Sequence, residues 1–266
     1  MSIGLPISHI VTLNNMVDIV HQINPMVLQY RERGEPLPAV LQHKMCTFHD
    51  SRPMLSEDFR TQQTDKLFEW ILKLPWYQHI REYSVNLAPA CKQVKVRDAQ
   101  YVCDSPIMAP DELMEELINT TCWLTEFFNT ISLENTNYYP MPAYTTICDP
   151  EFISHAIREL GPKVFFTLDI GHAIVSAGNL KMGILEYIGK LPLERCSEIH
   201  LGDPVYDNNW GYWRDAHAFP TTTISILREL WDKLYYEPLV IIEHYESLDA
   251  IERAYRMLRN TITFDN

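Results

Sequence analysis

Short apolar runs rich in β-branched and aromatic residues alternate along this chain with longer stretches of helical periodicity. The runs predict strands over 7–13, 26–30, 39–45, 83–88, 130–135, 164–169, 197–201 and 239–243. Helical spacing is predicted over 56–74, 110–128, 150–160, 181–190, 222–234 and 247–259. Pro110-Asp111-Glu112 and Asp149-Pro150-Glu151 put proline and acids where the first turn of a helix favours them. Strands that alternate with helices imply a parallel sheet, and eight strands with no reversal point predict a closed (β/α)8 TIM barrel. A doubly wound open sheet is the competing architecture. It would want a glycine-rich phosphate loop after an early strand, and the sequence has none.

The 266 residues match a single barrel domain spanning 1–266, since such barrels run to about 250 residues. Twenty-two basic residues against 35 acidic ones give a formal net charge of −13, and no basic stripe interrupts it. Nucleic acid is therefore an unsuitable partner, because phosphate backbones select clustered Lys and Arg. No apolar run approaches the roughly 20 residues of a membrane span, and the N-terminal MSIGLPISHIVTLNN lacks the basic and apolar regions of a secretory signal. The expectation is a cytoplasmic protein with no membrane partner. Six scattered cysteines without a C-x-x-C pair predict reduced, buried thiols rather than a zinc ribbon or a disulfide framework.

The chemistry gathers after residue 130. Four proposed strands end in metal-type ligands: Glu134, Asp169 with His172 just beyond it, His200, and Glu243. Asp215 and His217 lie between the last two, and in an extended segment residues two apart point the same way. Strand C-termini of a β/α barrel converge on one face, so these seven residues would meet around one cleft. Packed carboxylates repel one another unless cations lie between them. Four carboxylates and three imidazoles exceed the needs of one ion, which takes about three protein ligands plus water. Nitrogen and oxygen ligands without thiolate suit iron, manganese or zinc.

The motifs LENTNYY, LDIGHAIVSAGN, EYIGKLPLERCSEIHL, DAH and IIEHY resemble those of the multinuclear non-haem iron-dependent oxidative enzymes. That family includes the methanobactin-biosynthesis oxidase and enzymes that modify cysteine or other residues of ribosomally made peptides. The likeness runs from about residue 105 to 255, in the family's motif order. A broader likeness is to the xylose-isomerase-like barrels, among them sugar isomerases and endonuclease IV. Carried over by motif, the resemblance implies metal ligands at Glu134, Asp169, His172, His200, Asp215, His217 and Glu243, with Glu134 and Glu243 also catalytic. His43, in VLQHK, fits the family's early-strand histidine, and His49 is the competing candidate. Two or three iron ions are implied, with manganese or zinc the alternative. A peptide or small-molecule substrate is implied too, and a partner protein that presents it. The chain departs from the pattern in three places. SVNL puts Asn86 where the family offers a histidine, HLGD replaces HLAG, and the final motif reads Glu243-His244-Tyr245.

The leading expectation is a dioxygen-using iron enzyme of natural-product biosynthesis acting on a cysteine-type peptide substrate. The alternative is a divalent-metal sugar isomerase or epimerase with Glu134 and Glu243 as the proton-transferring pair. An apurinic-site endonuclease would want a basic DNA-facing surface, which −13 opposes. A recognition module that has lost catalysis would not need seven ligands. The segment 208–213 reads either as an aromatic lid or as rim packing. Lys44 and Arg214 could meet an anionic group, and His9, His21, His79 and His155 fall outside the strand-end pattern.

Overall fold

The computed structural model describes residues 1–12, 14–31, 37–60, 68–75 and 77–262. Eight parallel strands close into a barrel: β1 (Ser2–Pro6), β2 (Val27–Arg31), β3 (Met45–Asp50), β4 (Ile80–Asn86), β7 (Ile131–Glu134), β8 (Val164–Asp169), β9 (Cys196–Leu201) and β12 (Leu239–Ile242). Two antiparallel hairpins stand outside it, β5 (Val94–Arg97) with β6 (Gln100–Cys103) and β10 (Asp203–Asp207) with β11 (Tyr212–Ala218). The helices are α1 (Met16–Ile23), α2 (Pro110–Leu124), α3 (Pro150–Glu159), α4 (Ile170–Leu180), α5 (Ile184–Gly189), α6 (Thr221–Leu230) and α7 (Leu248–Thr261). None of the described helices is long and apolar enough to cross a membrane.

Period-two alternation governs the strands, with the usual polarity inverted. Phe48, Tyr83, Val85, Ile131, Leu133, Phe166, Leu168, Ile199 and Leu201 all belong to the main apolar core. The polar residues between them turn into the barrel and are buried as well: Thr47, His49, Glu82, Ser84, Ser132, Glu134, Thr167, Asp169, Glu198 and His200. Burying polar groups is costly without partners, and a hydroxyl network supplies them below the site. Ser84 Oγ and Ser132 Oγ lie 3.1 and 2.6 Å from Thr167 Oγ1, and Ser197 Oγ donates to Glu82 at 3.0 Å. Only Val27, Leu239 and Ile241 form a separate small apolar cluster among the described residues. The last helix closes the barrel onto the first strand. Ala250, Ile251, Ala254, Tyr255 and Leu258 bury one face of α7, and the Tyr255 hydroxyl donates to the Gly4 carbonyl.

Several expected elements move. The first strand lies at Ser2–Pro6 rather than 7–13, of which Leu13 is outside the described residues. The third is Met45–Asp50 rather than 39–45, because Ala39–Leu41 is a single 3₁₀ turn after Pro38. The expected helix over 56–74 falls partly on 61–67, outside the described residues. The expected helix over 181–190 is only Ile184–Gly189, and it is preceded by α4, which the periodicity does not predict. The thiols are not all reduced: Cys91 and Cys103 form a disulfide across the base of the β5–β6 hairpin, while Cys46, Cys122, Cys148 and Cys196 are free. Residues 208–213, read from the sequence as a lid or as rim packing, include the tip of the β10–β11 hairpin and the start of β11.

Candidate metal centre

The C-terminal ends of the strands deliver the site. Glu134 ends β7 and is 1% exposed. Its carboxylate faces three imidazoles, with His172 Nδ1 at 3.2 Å, His49 Nδ1 at 3.4 Å and His200 Nδ1 at 3.6 Å. Asp169 ends β8 and also caps α4, since its Oδ1 accepts the His172 amide at 2.6 Å. That capping bond starts the helix with no intervening loop and lays His172 over the cavity from the first helical turn. Asn135 fixes the same junction: its side chain accepts from the Asp169 amide at 2.8 Å and donates to the Asp169 carbonyl at 2.9 Å.

Asp215 and His217 enter from β11, with His217 Nδ1 3.3 Å from Asp215 Oδ2 and Nε2 3.1 Å from Glu243 Oε2. Asp215 Oδ2 also lies 3.7 Å from His172 Nε2. His217 adopts a left-handed backbone at φ 46°, a conformation that costs energy and recurs at functional sites. Two glycines allow the segments to meet. A Cβ on Gly202 would lie 2.8 Å from the Glu243 carbonyl and 3.2 Å from His217 Cα, and one on Gly171 would collide with the Gly202 carbonyl.

Glu134, Asp169, His172, His200, Asp215, His217 and Glu243 therefore come together, and His49 joins them from β3. His43 does not. It lines a shallow surface depression with Met45, His79 and Arg81, at the strand-start end of the barrel; the shift of the third strand to 45–50 places His49 at the site instead. Lys44 lies beside His43, its Nζ donating to the Pro25 carbonyl at 3.0 Å. Arg214 does line the cavity, held by Asp207 at 2.9 Å and by the Trp210 ring. Three residues at the site are absent from the candidates that the sequence offers: Arg31, Asn135 and Glu198. Arg31 ends β2 and ion-pairs with Glu243, and Asn86 lines the same cavity of about 190 Å³. Strand alternation could have revealed Glu198, which precedes His200 by two residues and shares its face.

The electrostatics describe acids and imidazoles forced together. Burial raises the Glu134 carboxyl, yet the His200 and His49 imidazoles outweigh it and hold Glu134 well below the usual carboxylate range. Burial likewise lowers His200, but Glu134 and Glu198 push it up to about 10. His172 is raised well above the usual range, as the Asp169 charge overcomes burial. Burial lowers His49 and His217 below the usual imidazole range, against the pull of Glu134 and Asp215. Below the site, burial and then the Glu198 charge raise Glu82 to about 8.

Three overlapping groups have ligand atoms close enough for one ion each: His49–Glu134–His200, Glu134–Asp169–His172 and Asp169–His200–Glu243. The donor set fits a metal by an independent sign. His49 Nδ1, Glu134 Oε2, His200 Nδ1 and Asn86 Oδ1 are buried without a hydrogen-bond partner, although unpaired buried polar atoms are rare in native structures. No thiolate stands among the described residues lining the cavity.

The chain is similar in fold to several solved barrels. One is a D-tagatose 3-epimerase-like protein at 15% identity, covering 98% of this chain and 97% of that one, with a TM-score of 0.69. A D-psicose 3-epimerase structure obtained in the presence of D-fructose shares 12% identity over 99% and 98% of the two chains, with a TM-score of 0.62. Endonuclease IV from Thermus thermophilus shares 13% over 98% of each chain, with a TM-score of 0.61. At such identities the likeness establishes the TIM-barrel fold alone. No curated protein matches the sequence. Residues 100–260, more than half of the chain and the span that carries every gathered ligand candidate except His49, match the model of the RiPP precursor modification enzymes MbnB/TglH/ChrH. The chain thus belongs to the MbnB/TglH/ChrH family of enzymes that modify ribosomally synthesised precursor peptides.

Proposed function

We propose that this enzyme is a multinuclear non-haem iron protein that uses dioxygen to oxidise a cysteine-type residue of a precursor peptide. The observation that carries the reading is the set of buried, unpartnered ligand atoms of His49, Glu134 and His200, which face one another at the strand ends. Glu134, Asp169 and His200 each belong to two of the three ligand groups, so bridging carboxylates could hold neighbouring ions within one small cavity. Asp215 and His217 would complete the set from the hairpin. Iron bound there would supply redox capacity that side chains lack.

The chain's own residues do the rest. A cavity of about 190 Å³ would take one side chain of the peptide. Tyr101, Tyr139 and Tyr144 line its wall. Arg31 holds Glu243 from one side and His217 holds it from the other, which fixes the carboxylate that would accept a proton from the entering group. Glu134, kept ionised by its imidazoles, would serve as a ligand. The soluble, cytoplasmic address and a partner protein that presents the peptide accompany this reading.

The fold likeness to sugar epimerases supports a rival, non-redox reading in which Glu134 and Glu243 shuttle a proton across the cavity with manganese or zinc. Mass spectrometry of cysteine-containing precursor peptides, incubated with iron-loaded protein, separates the two. Oxidative mass changes that require both iron and dioxygen are expected. Equal turnover by zinc-loaded protein under strict anaerobiosis would refute the oxidative reading.

A further inference from the structure

Behind His200, beyond the residues that line the cavity, stand two polar side chains with no place in the ligand set. Glu198 is fully buried, and its Oε1 lies 2.6 Å from His200 Nε2. Gln29, also fully buried, donates from Nε2 to the same oxygen at 2.8 Å. The orientation of the Gln29 amide is set by Arg31, whose Nη2 donates to Gln29 Oε1 at 3.3 Å. Gln29 Nε2 consequently sits 3.1 Å from His200 Nε2. Two nitrogens approach that closely because both aim a hydrogen at one carboxylate oxygen.

We infer that Glu198 and Gln29 are positioning residues that decide which nitrogen of His200 is free for a metal. The inference rests on the metal-centre reading above. Glu198 accepts the Nε2 hydrogen, which leaves Nδ1 as the nitrogen for a metal, facing Glu134 at 3.6 Å and Glu243 at 3.5 Å. A carboxylate behind a ligating imidazole orients the ring and selects its tautomer. Here the neighbouring amide makes the choice two-sided. Without an acceptor at position 198, Gln29 becomes the donor to Nε2, and the hydrogen of a neutral His200 moves to Nδ1. It then points at the place where the ligand lone pair is required. The bond from Arg31 to Gln29 extends the same chain of contacts to Glu243, so one row of side chains orients two members of the Asp169–His200–Glu243 group.

The test titrates Fe(II) anaerobically into metal-stripped wild type, Glu198→Met and the double variant Gln29→Glu/Glu198→Met, with Mössbauer spectra of each end point. Glu198→Met keeps the volume and removes the acceptor. It is expected to weaken one ion by about 10–100-fold and to change one quadrupole doublet. The double variant returns a carboxylate to within reach of Nε2 from the other side and is expected to recover both. Melting curves of the metal-free proteins establish that each variant is folded. Wild-type affinity and spectrum in Glu198→Met would overturn the inference, as would a folded double variant no better than the single one. Wild type that takes up no iron at all would refute the metal centre itself, which is a separate outcome.

Discussion

Replacing Glu134 by Gln keeps the shape of the side chain and removes the charge on which two ligand groups depend. A structural metal held by four protein ligands gains about 10–16 kcal/mol, so one ligand contributes roughly 3 kcal/mol, about a hundredfold in affinity. Because Glu134 belongs to both His49–Glu134–His200 and Glu134–Asp169–His172, Glu134→Gln should weaken two ions by that factor. His49→Ala, which touches only the first group, should weaken one. Anaerobic Fe(II) titration followed by metal counting reads the difference directly. Glu134 is also buried among charged imidazoles, and breaking a buried charge cluster costs about 3–5 kcal/mol. The melting temperature of the metal-free variant must therefore be measured alongside. A folded Glu134→Gln protein that loses one ion rather than two would refute the shared-carboxylate arrangement. One that loses none would refute Glu134 as a ligand.

Three further outcomes are expected. Metal affinity should rise with pH. His200, raised to about 10 in the metal-free fold, carries a proton that stabilises that fold fully below its unfolded value of about 6.5 and is lost as pH rises through 10. Metal must displace this proton, so affinity should fall about tenfold per pH unit on acidification, and calorimetry in buffers of different ionisation heat should record proton release; a pH-independent affinity would contradict it. Gly202→Ala should cost about 1–3 kcal/mol, because the added Cβ meets backbone atoms of Glu243 and His217 that cannot give way; thermal melts and metal content should fall together, and a neutral substitution would show that the close approach is dispensable. His43→Ala should leave stability within about 0.5 kcal/mol and metal content unchanged, since His43 faces the other end of the barrel.

The strand-end rule carries the site because Glu134, Asp169 and His200 lie toward the ends of strands whose apolar partners are unmistakable, as in Phe166-Thr167-Leu168-Asp169 and Ile131-Ser132-Leu133-Glu134. It fails at the third strand. Cys46-Thr47-Phe48-His49-Asp50 alternates as the others do, but the more apolar 39–45 run draws the assignment upstream, and with it His43. Alternation normally signals a half-solvated strand; inside this barrel the polar parity faces inward, which buries Gln29 and Glu198 with the ligand candidates. Helix α4 is obscured by Gly171 and Gly178, since glycine is a poor helix former. Both serve close packing: a Cβ on Gly178 would strike the Trp213 ring. The Cys91–Cys103 pair is a consequence of the hairpin. Asp98 and Ala99 both take positive φ in its turn without a glycine to announce it.

The central claim is that these carboxylates and imidazoles hold two or three iron ions. Mass spectrometric metal content per chain of anaerobically purified protein, with Mössbauer and EPR spectra of the same sample, tests it most directly. Two or three irons with spin-coupled features are the expected result. A protein with no tightly bound metal, even after anaerobic reconstitution with Fe(II), would contradict it.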